Sequence, residues 1–546
     1  MLRHPFEAVV IGSGATGGVA ALTLAQIGLR VLVIEAGPEL TSKEALGSEP
    51  QNTFKRINRI ICGEVKVQAQ HPGYWKNNPS LYINEKDNQY ITPKNNEFIW
   101  TQGRQVGGRS LTWGGITLRL SESDFCSAKI DNFGPEWPIN YMDLEKHYSY
   151  LEKLLKVHGN RDGLEQLPDG HYLKSLPFTA SEQIFKNNLT KSLNYPMIHS
   201  RGFGGHDIIK DGLWPRYSSV GSTLKQAIKT GKVELLTNHI VEYISLDSSQ
   251  KLANGLHVIN IQTKEREKLD CKLIILCAST IQSLKILLNS SENIRSKGLI
   301  DPSGKLGSYL MDHISTCRFF SIKNDQEQEK TKLHKLTGAG SFFIPFGKNL
   351  DTNIKVDFLR GYGIWGGIDR FEPPDFIKTK TKTKTGFLIG HGEVLPYEEN
   401  KVSLSKQLDK WEIPIPNIDF RWKDNELRMV NHMNISIENC IKASGGEVEP
   451  IHDLIRIPFL KEISQKALAL QDSPPPPGYY VHEVGGAPMG TRQENSVLDK
   501  WNRLWQCKNI LVVDGSCWPT SSWQSPTLTM MAITRRACIE SIKNQS

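Results

Sequence analysis

The 546-residue chain predicts an α/β fold assembled from separated stretches of sequence, and three observations carry that reading. The first is Phe6–Ala36, where an apolar run (Ala8–Ile11) meets a glycine-rich turn, a helical stretch (Gly17–Ile27) and a second apolar run (Val31–Ile34). Strand, helix and strand with short connections make a βαβ unit. The second is Val233–Ser290. It offers strands at Val233–Thr237, Ile240–Leu246 and Gly255–Thr263, the buried run Leu273–Ala278, and a helix from Ile281 to Leu288. The third is the C-terminal stretch, where Ile510–Asp514 reads as a short buried strand. Thr527–Ser541 follows as a helix with Leu528, Met531, Ile533 and Ala537 on one face.

Longer, less patterned segments separate these stretches: Tyr74–Trp100, Phe133–Tyr217, and the long middle from Phe319 to Tyr480. The middle alternates short β-like runs (Ser341–Pro345, Ile354–Leu359, Gly386–Ile389) with polar turns, which suits a sheet covering a pocket. Lys378–Thr385 repeats Lys-Thr four times and reads as an exposed edge strand or loop kept soluble by its lysines. Pro474–Pro477, followed by Gly478, is a stiff spacer that delivers the chain to His482.

Composition narrows the class. Apolar residues make up 38% and charged residues 23%, which is globular rather than disordered. No apolar run reaches the length of a spanning helix, and Met1–Pro5 leave no room for a signal peptide, so no transmembrane segment is expected. The nine cysteines are scattered, with no C-x-x-C pair. A disulfide framework and a metal site are therefore not expected, and a reducing, cytoplasmic setting is. The net charge of +8 comes without a compact Lys/Arg block, so no nucleic-acid partner is expected.

Gly12-Ser13-Gly14-Ala15-Thr16-Gly17 matches G-x-G-x-x-G after a strand and at the start of a helix, and Glu35 ends the next strand 18 residues beyond Gly17. In that context Gly12 makes the tight turn, Gly14 lets the backbone approach a pyrophosphate, and Gly17 lets helix and strand pack closely. The helix N-terminus offers unpaired N–H groups to the phosphates. Glu35, at the surface-facing end of its strand, accepts from ribose hydroxyls. This specifies an ADP-containing dinucleotide without separating FAD from NAD.

Further blocks decide between them. Gly103–Gly115 (GRQVGGRSLTWGG) resembles the second flavin-binding signature of the glucose–methanol–choline (GMC) oxidoreductases. Gly304–His313 (GKLGSYLMDH) resembles that family's link out of the nucleotide domain. Pro396–Leu404 (PYEENKVSL), with Asp424-Asn425-Glu426 after it, resembles its substrate-domain sheet. His482–Gly490 (HEVGGAPMG) and Val513–Thr529 (VDGSCWPTSSWQSPTLT) resemble its C-terminal catalytic and flavin-contact blocks. The blocks follow family order across essentially the whole chain. Thr112-Trp113 and Trp137-Pro138 look closer to sugar- and polyol-oxidising members than to the choline branch.

The resemblance implies a discontinuous, Rossmann-like FAD-binding domain (1–60, 96–130, 212–316 and 480–546). It also implies a substrate or cap domain on an antiparallel sheet (61–95, 131–211 and 317–479). It implies non-covalent FAD, because Thr112 stands where some members carry a flavin-linking histidine. Carried over by position, Gly12, Gly14, Thr16, Gly17, Glu35, Ala36 and Val241 would hold the adenosine and phosphate half. Gly108, Ser110, Thr112, Trp113, Gly114 and Ala278 would line the path to the flavin. Asp514 and Gly515 would lie along the ribityl chain, with Pro526 and Thr527 near the ring. Ser279 replaces a usual glycine.

Alcohol oxidation of this kind needs a base for the hydroxyl proton, and histidine suits it because its ordinary pKa is near neutrality. His482 stands at the family's catalytic histidine. The second catalytic position, His or Asn in the family, falls 43 residues later on Ser525, with Gln524 or a water as a substitute partner. Trp113, Trp518 and Trp523 are candidate substrate contacts. The expected activity is FAD-dependent oxidation of a CH–OH group in a small-molecule sugar, polyol or other alcohol. The electron acceptor (quinone, protein or oxygen) is open. A family-type lyase or an attenuated non-redox flavoprotein is the alternative.

Overall fold

The computed structural model describes residues 6–204, 209–292, 298–323, 336–346, 348, 354–370, 382–450 and 473–543. In chain order the first elements are β1 (Ala8–Ile11), α1 (Ala15–Gln26), β2 (Val31–Ile34), α2 (Ser42–Leu46), α3 (Glu49–Ile61) and α4 (Pro72–Lys76). Then come α5 (Glu122–Phe125), α6 (Ser127–Asp131), α7 (Tyr141–Leu155), β3 (His158–Gly159), β4 (Leu173–Lys174), α8 (Ala180–Leu193) and β5 (Ile198–His199). The centre holds α9 (Thr223–Lys229), β6 (Val233–Leu236), β7 (His239–Leu246), β8 (Ala253–Asn260), β9 (Arg266–Asp270), β10 (Leu273–Leu276) and α10 (Thr280–Glu292). It continues through β11 (Ile314–Lys323), β12 (Phe342–Pro345), β13 (Tyr362–Ile368), β14 (Thr383–Gly392), β15 (Lys401–Leu408) and β16 (Pro414–Asp419). The last are α11 (Asp424–Ala443), β17 (Gly446–Val448), β18 (Ile510–Val512) and α12 (Thr527–Lys543).

Five strands form one parallel sheet in the order β18-β10-β1-β2-β6. Val9 pairs with both Ile274 and Leu32, and Ile275 pairs with Leu511. Every residue of β1, β2, β10 and β18 is buried. Continuous apolar runs are what a parallel sheet covered on both faces requires. α1 supplies one cover and packs against α9 and α12. All four apolar residues expected on one face of α12 are buried.

A second sheet is antiparallel, in the order β17-β11-β14-β13-β12-β5. One face is closed by α11, whose Met429, Met433 and Ile437 are buried. Those side chains fill the space left by Gly390 and Gly392: an added Cβ at Gly392 would lie 2.4 Å from the Met429 sulfur. The opposite face turns toward the first sheet and forms a wall of the cavity described below.

Three readings of the middle change. Ile354–Leu359 forms no strand. Lys401–Leu408 forms a separate two-stranded ribbon with Pro414–Asp419, apart from one bridge of Lys401 to Ser308, and Asp424–Glu426 opens α11. Of the Lys-Thr repeat, 378–381 lie outside the described residues. Thr383–Thr385 begin β14, which is flanked by β11 and β13 and so is not an edge; Lys384 is neutralised there by Asp369 at 3.3 Å. Alternation with polar residues predicts a half-buried strand correctly but says nothing of its place in the sheet.

Candidate active site

The chain switches direction beside β1, with β2 and β6 on one side and β10 and β18 on the other. Open α/β sheets bind ligands beyond the carboxyl ends of strands at such a point. Here Gly12 follows β1, Glu35 follows β2, Cys277 follows β10, and Asp514 lies two residues beyond β18. All four line one cavity of about 710 Å³. That volume lies in the upper part of the usual range for ligand sites, roughly 300–1,000 Å³.

The glycine loop divides its labour as the fingerprint predicts. Gly12 has φ +97°, and a Cβ there would sit 2.4 Å from the Cys277 carbonyl oxygen. A Cβ on Gly17 would sit 1.9 Å from the Gly12 carbonyl oxygen, so Gly17 serves packing and does not line the cavity. Gly14 has only the Gly107 oxygen within 4.0 Å of such a Cβ, which leaves its cavity side open. Gly14 is also the N-cap of α1 and provides no side-chain cap, so the first-turn N–H groups face the cavity uncapped.

Glu35 differs from expectation. It is buried, not surface-facing, with 7% of its area exposed. One carboxylate oxygen accepts from the Ser13 N–H (3.1 Å) and hydroxyl (2.6 Å), and the other from the Gly37 N–H (2.9 Å). The Ser13 hydroxyl in turn accepts from the Gly107 N–H at 2.9 Å. Glu35 therefore ties β2, the glycine loop and the second signature together, and keeps a free lone pair on the oxygen bonded to Gly37. Burial raises its pKa, with the Ser13 and Gly37 bonds opposing.

Of the remaining sequence candidates, Thr16, Ala36, Gly108, Ser110, Thr112, Trp113, Gly114, Val241, Ala278, Gly515, Pro526 and Thr527 line the same cavity, as do His482 and Ser525. Asp514 is fixed by the Ser283 hydroxyl (2.5 Å) on one oxygen and by Ser516 on the other. Ser279 lines the cavity at φ +77°, the backbone region that favours the glycine it replaces. Several side chains on the nucleotide side of the cavity carry buried polar atoms without a partner among the described residues: Arg104 Nη1, Trp113 Nε1 and Glu483 Oε1. Orphaned donors and acceptors around an open phosphate cradle fit a bound dinucleotide.

At the far end the chain builds a histidine line that the motifs did not reveal. His482 Nδ1 lies 2.9 Å from His313 Nδ1, and His313 Nε2 lies 2.5 Å from the Ser522 carbonyl oxygen. A carbonyl only accepts, so His313 Nε2 carries the hydrogen. Burial lowers the His313 pKa to about 4, so the ring is neutral and its Nδ1 is a bare acceptor. His482 Nδ1 must then donate. Burial, and next the neighbouring His313, hold His482 well below 6.5, so it too is neutral. Its Nε2 makes no hydrogen bond among the described residues and presents a lone pair in the cavity.

Asp312 sets the backbone beneath this line. Its two oxygens accept from the Gly478 N–H and the His482 N–H, both at 2.9 Å. They clamp the turn that follows the proline spacer. Val481 inside that turn has φ +64°, a β-branched residue in the left-handed region, which costs on the order of 1–3 kcal/mol. Burial, and then repulsion from Glu483, raise Asp312 to about 7. Arg109 neutralises Glu483 at 2.8 Å. His391 completes the group. Its pKa is lowered to about 3 by burial, one nitrogen donates to the Trp523 carbonyl, Nδ1 is unpartnered, and the ring stacks on Tyr480 at 5.3 Å.

Other expectations are corrected. Gln524 does not reach into the cavity: its amide nitrogen is held by Asp124 at 2.8 Å. Ser525 lines the cavity with a hydroxyl that bonds no described residue. Trp113 lines the cavity, whereas Trp518 packs against Trp137 (5.5 Å) and Trp523 against Gly363 and Phe343. Trp100 and Trp365, the latter inside a strand with no motif, are lining tryptophans that sequence reasoning missed. The wall Trp365 belongs to is mostly apolar: Cys317 and Phe319 on β11, Trp365 on β13, Phe387 and Ile389 on β14, and Leu336 beside them, with Ser315 and Thr316 on β11 as polar members and the Thr316 hydroxyl held by Asn434.

Comparison with known proteins agrees with this architecture. Two family models described as GMC oxidoreductase match residues 6–315 and 396–534. The chain is 25% identical to a 2-methyl-1,2-propanediol dehydrogenase of Mycolicibacterium austroafricanum, covering 97% of this chain and 94% of that one. It is 54% identical to a long-chain-alcohol oxidase of Arabidopsis thaliana, covering 96% of this chain and 66% of that longer protein. It is 22% identical to the fructose dehydrogenase large subunit of Gluconobacter japonicus, over 97% and 96% of the two chains. The fold is similar to that of pyridoxine 4-oxidase from Mesorbium loti, with a TM-score of 0.61, 16% identity and coverage of 98% and 99%.

Proposed function

The chain belongs to the GMC oxidoreductase family of flavin-dependent enzymes acting on CH–OH groups. From that premise we propose that it oxidises an alcohol carried on an apolar chain, using non-covalently bound FAD. The observation that carries the substrate class is the wall of Cys317, Phe319, Trp365, Phe387, Ile389 and Leu336, in which the Ser315 hydroxyl and the Trp365 indole N–H are the few hydrogen-bonding groups it offers a sugar. The long-chain-alcohol oxidase among the relatives supports the same choice. Thr112 supports non-covalent binding, since a hydroxyl cannot form the histidyl–flavin bond.

FAD, when bound, supplies the hydride acceptor. Gly12, Gly14, Thr16, Glu35, Ala36 and Val241 would hold its adenosine and phosphate half. Gly108, Ser110, Thr112, Trp113, Gly114, Ala278, Asp514, Gly515, Pro526 and Thr527 would hold the rest. Gly17 keeps the loop closed. Each stands on the cavity or on the turn that forms it. His482 is the catalytic base: its Nε2 lone pair takes the hydroxyl proton, while its Nδ1–H stays anchored on His313. A positioned base of this kind contributes roughly 10²–10⁴-fold. The Ser525 hydroxyl gives the substrate oxygen a second hydrogen bond. The apolar wall excludes water from the reacting carbon. On this reading 1–60, 96–130, 212–316 and 480–546 form the FAD domain, and 61–95, 131–211 and 317–479 the substrate domain.

The test is an anaerobic panel followed by flavin absorbance. Primary alkanols of rising chain length are expected to bleach the bound flavin, with efficiency rising along the series. Bleaching by fructose or glucose, with none by long alkanols, overturns the substrate assignment. The same panel applied to His482→Ala is expected to slow bleaching by roughly 10²-fold or more with flavin still bound.

A further inference from the structure

Helix α3 is folded inside out. Its buried residues are Asn52 and Arg56, while Phe54 (73% exposed), Ile57 (48%), Ile60 (37%) and Ile61 (78%) face outward. At 100° per residue those four lie within one stripe about 120° wide, whose centre is about 120° round the helix from Asn52 and Arg56. The inward polar face is pinned by specific bonds. Arg56 donates to the Tyr74 carbonyl (3.2 Å) and the Asn77 carbonyl (2.8 Å) and pairs with Glu49 (3.2 Å), and Asn52 donates to the Leu46 carbonyl (3.1 Å). The protein therefore holds this helix with its apolar side out. Leu46 on α2 (40%) and Trp75 on α4 (51%) are further exposed apolar residues on the elements packed beside α3.

The charge around the stripe selects the partner. Lys43, Lys55, Lys66 and Lys86 are exposed and form no ion pair among the described residues, whereas the ammonium of Lys76 is partly desolvated and its pKa lowered by burial. Of the nearby acids, Glu49 is paired with Arg56, Glu64 with Arg59 and Asp87 with Lys410, while Glu85 and Glu44 keep their charge on backbone and Thr41 hydrogen bonds and Glu39 and Glu97 are exposed, so the lysines of α2–α4 leave a modest positive excess. An exposed apolar helix face in a segment that carries lysines without ion pairs fits the interface of an anionic bilayer. A second protein chain would need acids to meet the lysines, whereas this chain carries an excess of 8 positive charges.

We infer that α3, with Leu46 and Trp75, is a peripheral docking surface for an anionic lipid bilayer. One element of this surface reaches the cavity: Pro72, the first residue of α4, is exposed and lines the cavity, three residues before Trp75. An apolar substrate dissolved in the bilayer would then reach the mouth without crossing water. The surface stands on its own geometry and goes beyond the proposed chemistry.

The experiment is flotation of the flavin-loaded full chain with phosphatidylcholine vesicles containing phosphatidylserine, against pure phosphatidylcholine vesicles. The parent is expected to float with the mixed vesicles, less so with pure ones, and to be released by salt. Phe54→Gln combined with Ile61→Gln is expected to lower partitioning about tenfold or more. Both side chains are solvent-exposed, so flavin content and bleaching by a short water-soluble alcohol are expected to be unchanged. A double variant that floats like the parent overturns the inference. So does a concentration-dependent dimer of the parent that the double variant loses, since the face would then serve a second copy. Binding is read without turnover, so failure here is separate from failure of the proposed reaction.

Discussion

Replacing His313 with phenylalanine tests the histidine line directly. In the parent, His313 Nδ1 accepts the His482 Nδ1–H at 2.9 Å, and this bond keeps the His482 lone pair on the cavity side. Phenylalanine fills the space and removes the acceptor. The Nδ1–H tautomer of His482 would then bury an unsatisfied donor, costing about 1–3 kcal/mol. The other tautomer escapes that cost by placing its hydrogen on Nε2, where the lone pair is needed. At about 1.4 kcal/mol per tenfold, the base-competent fraction falls roughly five- to hundredfold. Anaerobic stopped-flow on the flavin-loaded variant reads this as a lower limiting rate of bleaching, with little change in alcohol affinity. His313→Gln carries both an acceptor and a donor on its amide and is expected to recover much of the rate. A His313→Phe enzyme that bleaches at the parental rate refutes the tautomer argument. Equal losses in both variants would reduce His313 to a packing residue.

Glu35→Ala is expected to lower both flavin retention and stability, the latter by about 2–4 kcal/mol, because the carboxylate also holds Ser13 and Gly37; urea titration of the flavin-free protein separates the two. Acid precipitation of the holoprotein is expected to release all yellow colour, and colour left in the pellet would contradict non-covalent binding at Thr112. For His391, burial lowers the folded pKa to about 3 from an ordinary 6.5, so its contribution is present above pH 6.5 and lost as pH falls toward 3. Between about pH 7 and pH 5 that loss is about 2 kcal/mol. Paired urea titrations of parent and His391→Leu are expected to show a pH-dependence smaller by this amount in the variant, and identical slopes would refute a buried neutral ring. Ser279→Gly relieves φ +77° and is expected to raise stability by about 0.5–1 kcal/mol, read as a higher urea midpoint.

The parallel sheet was legible because its strands are short, continuous apolar runs between turn signals. Ala8–Ile11 and Val31–Ile34 end where the strands end. The glycine loop was legible residue by residue, since each glycine answers to a steric demand that a sequence spacing can encode. The environment of Glu35 was not. Its carboxylate is satisfied by Ser13, 22 positions away, and through it by Gly107, and no local pattern announces that closure. The histidine line was hidden for the same reason: 169 residues separate His313 from His482. Asp312-His313 stood in a recognised block, but as a link between domains. Trp365 and the exposed face of α3 are tertiary facts as well. A stripe at helical spacing predicts an amphipathic helix and leaves open which side the rest of the chain will cover.

The serine at position 525 reads differently once that line is in place. A histidine or asparagine there could bond the substrate oxygen and share the proton, and serine supplies only one short hydroxyl. The neighbouring Gln524 does not compensate, because Asp124 holds its amide away from the cavity. What this chain has instead lies behind the base. His482 is oriented by His313, His313 by the Ser522 carbonyl, and the backbone of His482 by Asp312. Ser522 and Ser525 belong to the same short segment, so under the proposed mechanism the loop that lacks a second base at one position anchors the proposed base from another. On this reading Ser525→Asn adds a partner without disturbing the line and is expected to preserve or raise the rate of bleaching. Complete loss of activity would mean that the small side chain is needed to admit the substrate, which places the constraint at position 525 on volume and not on proton handling.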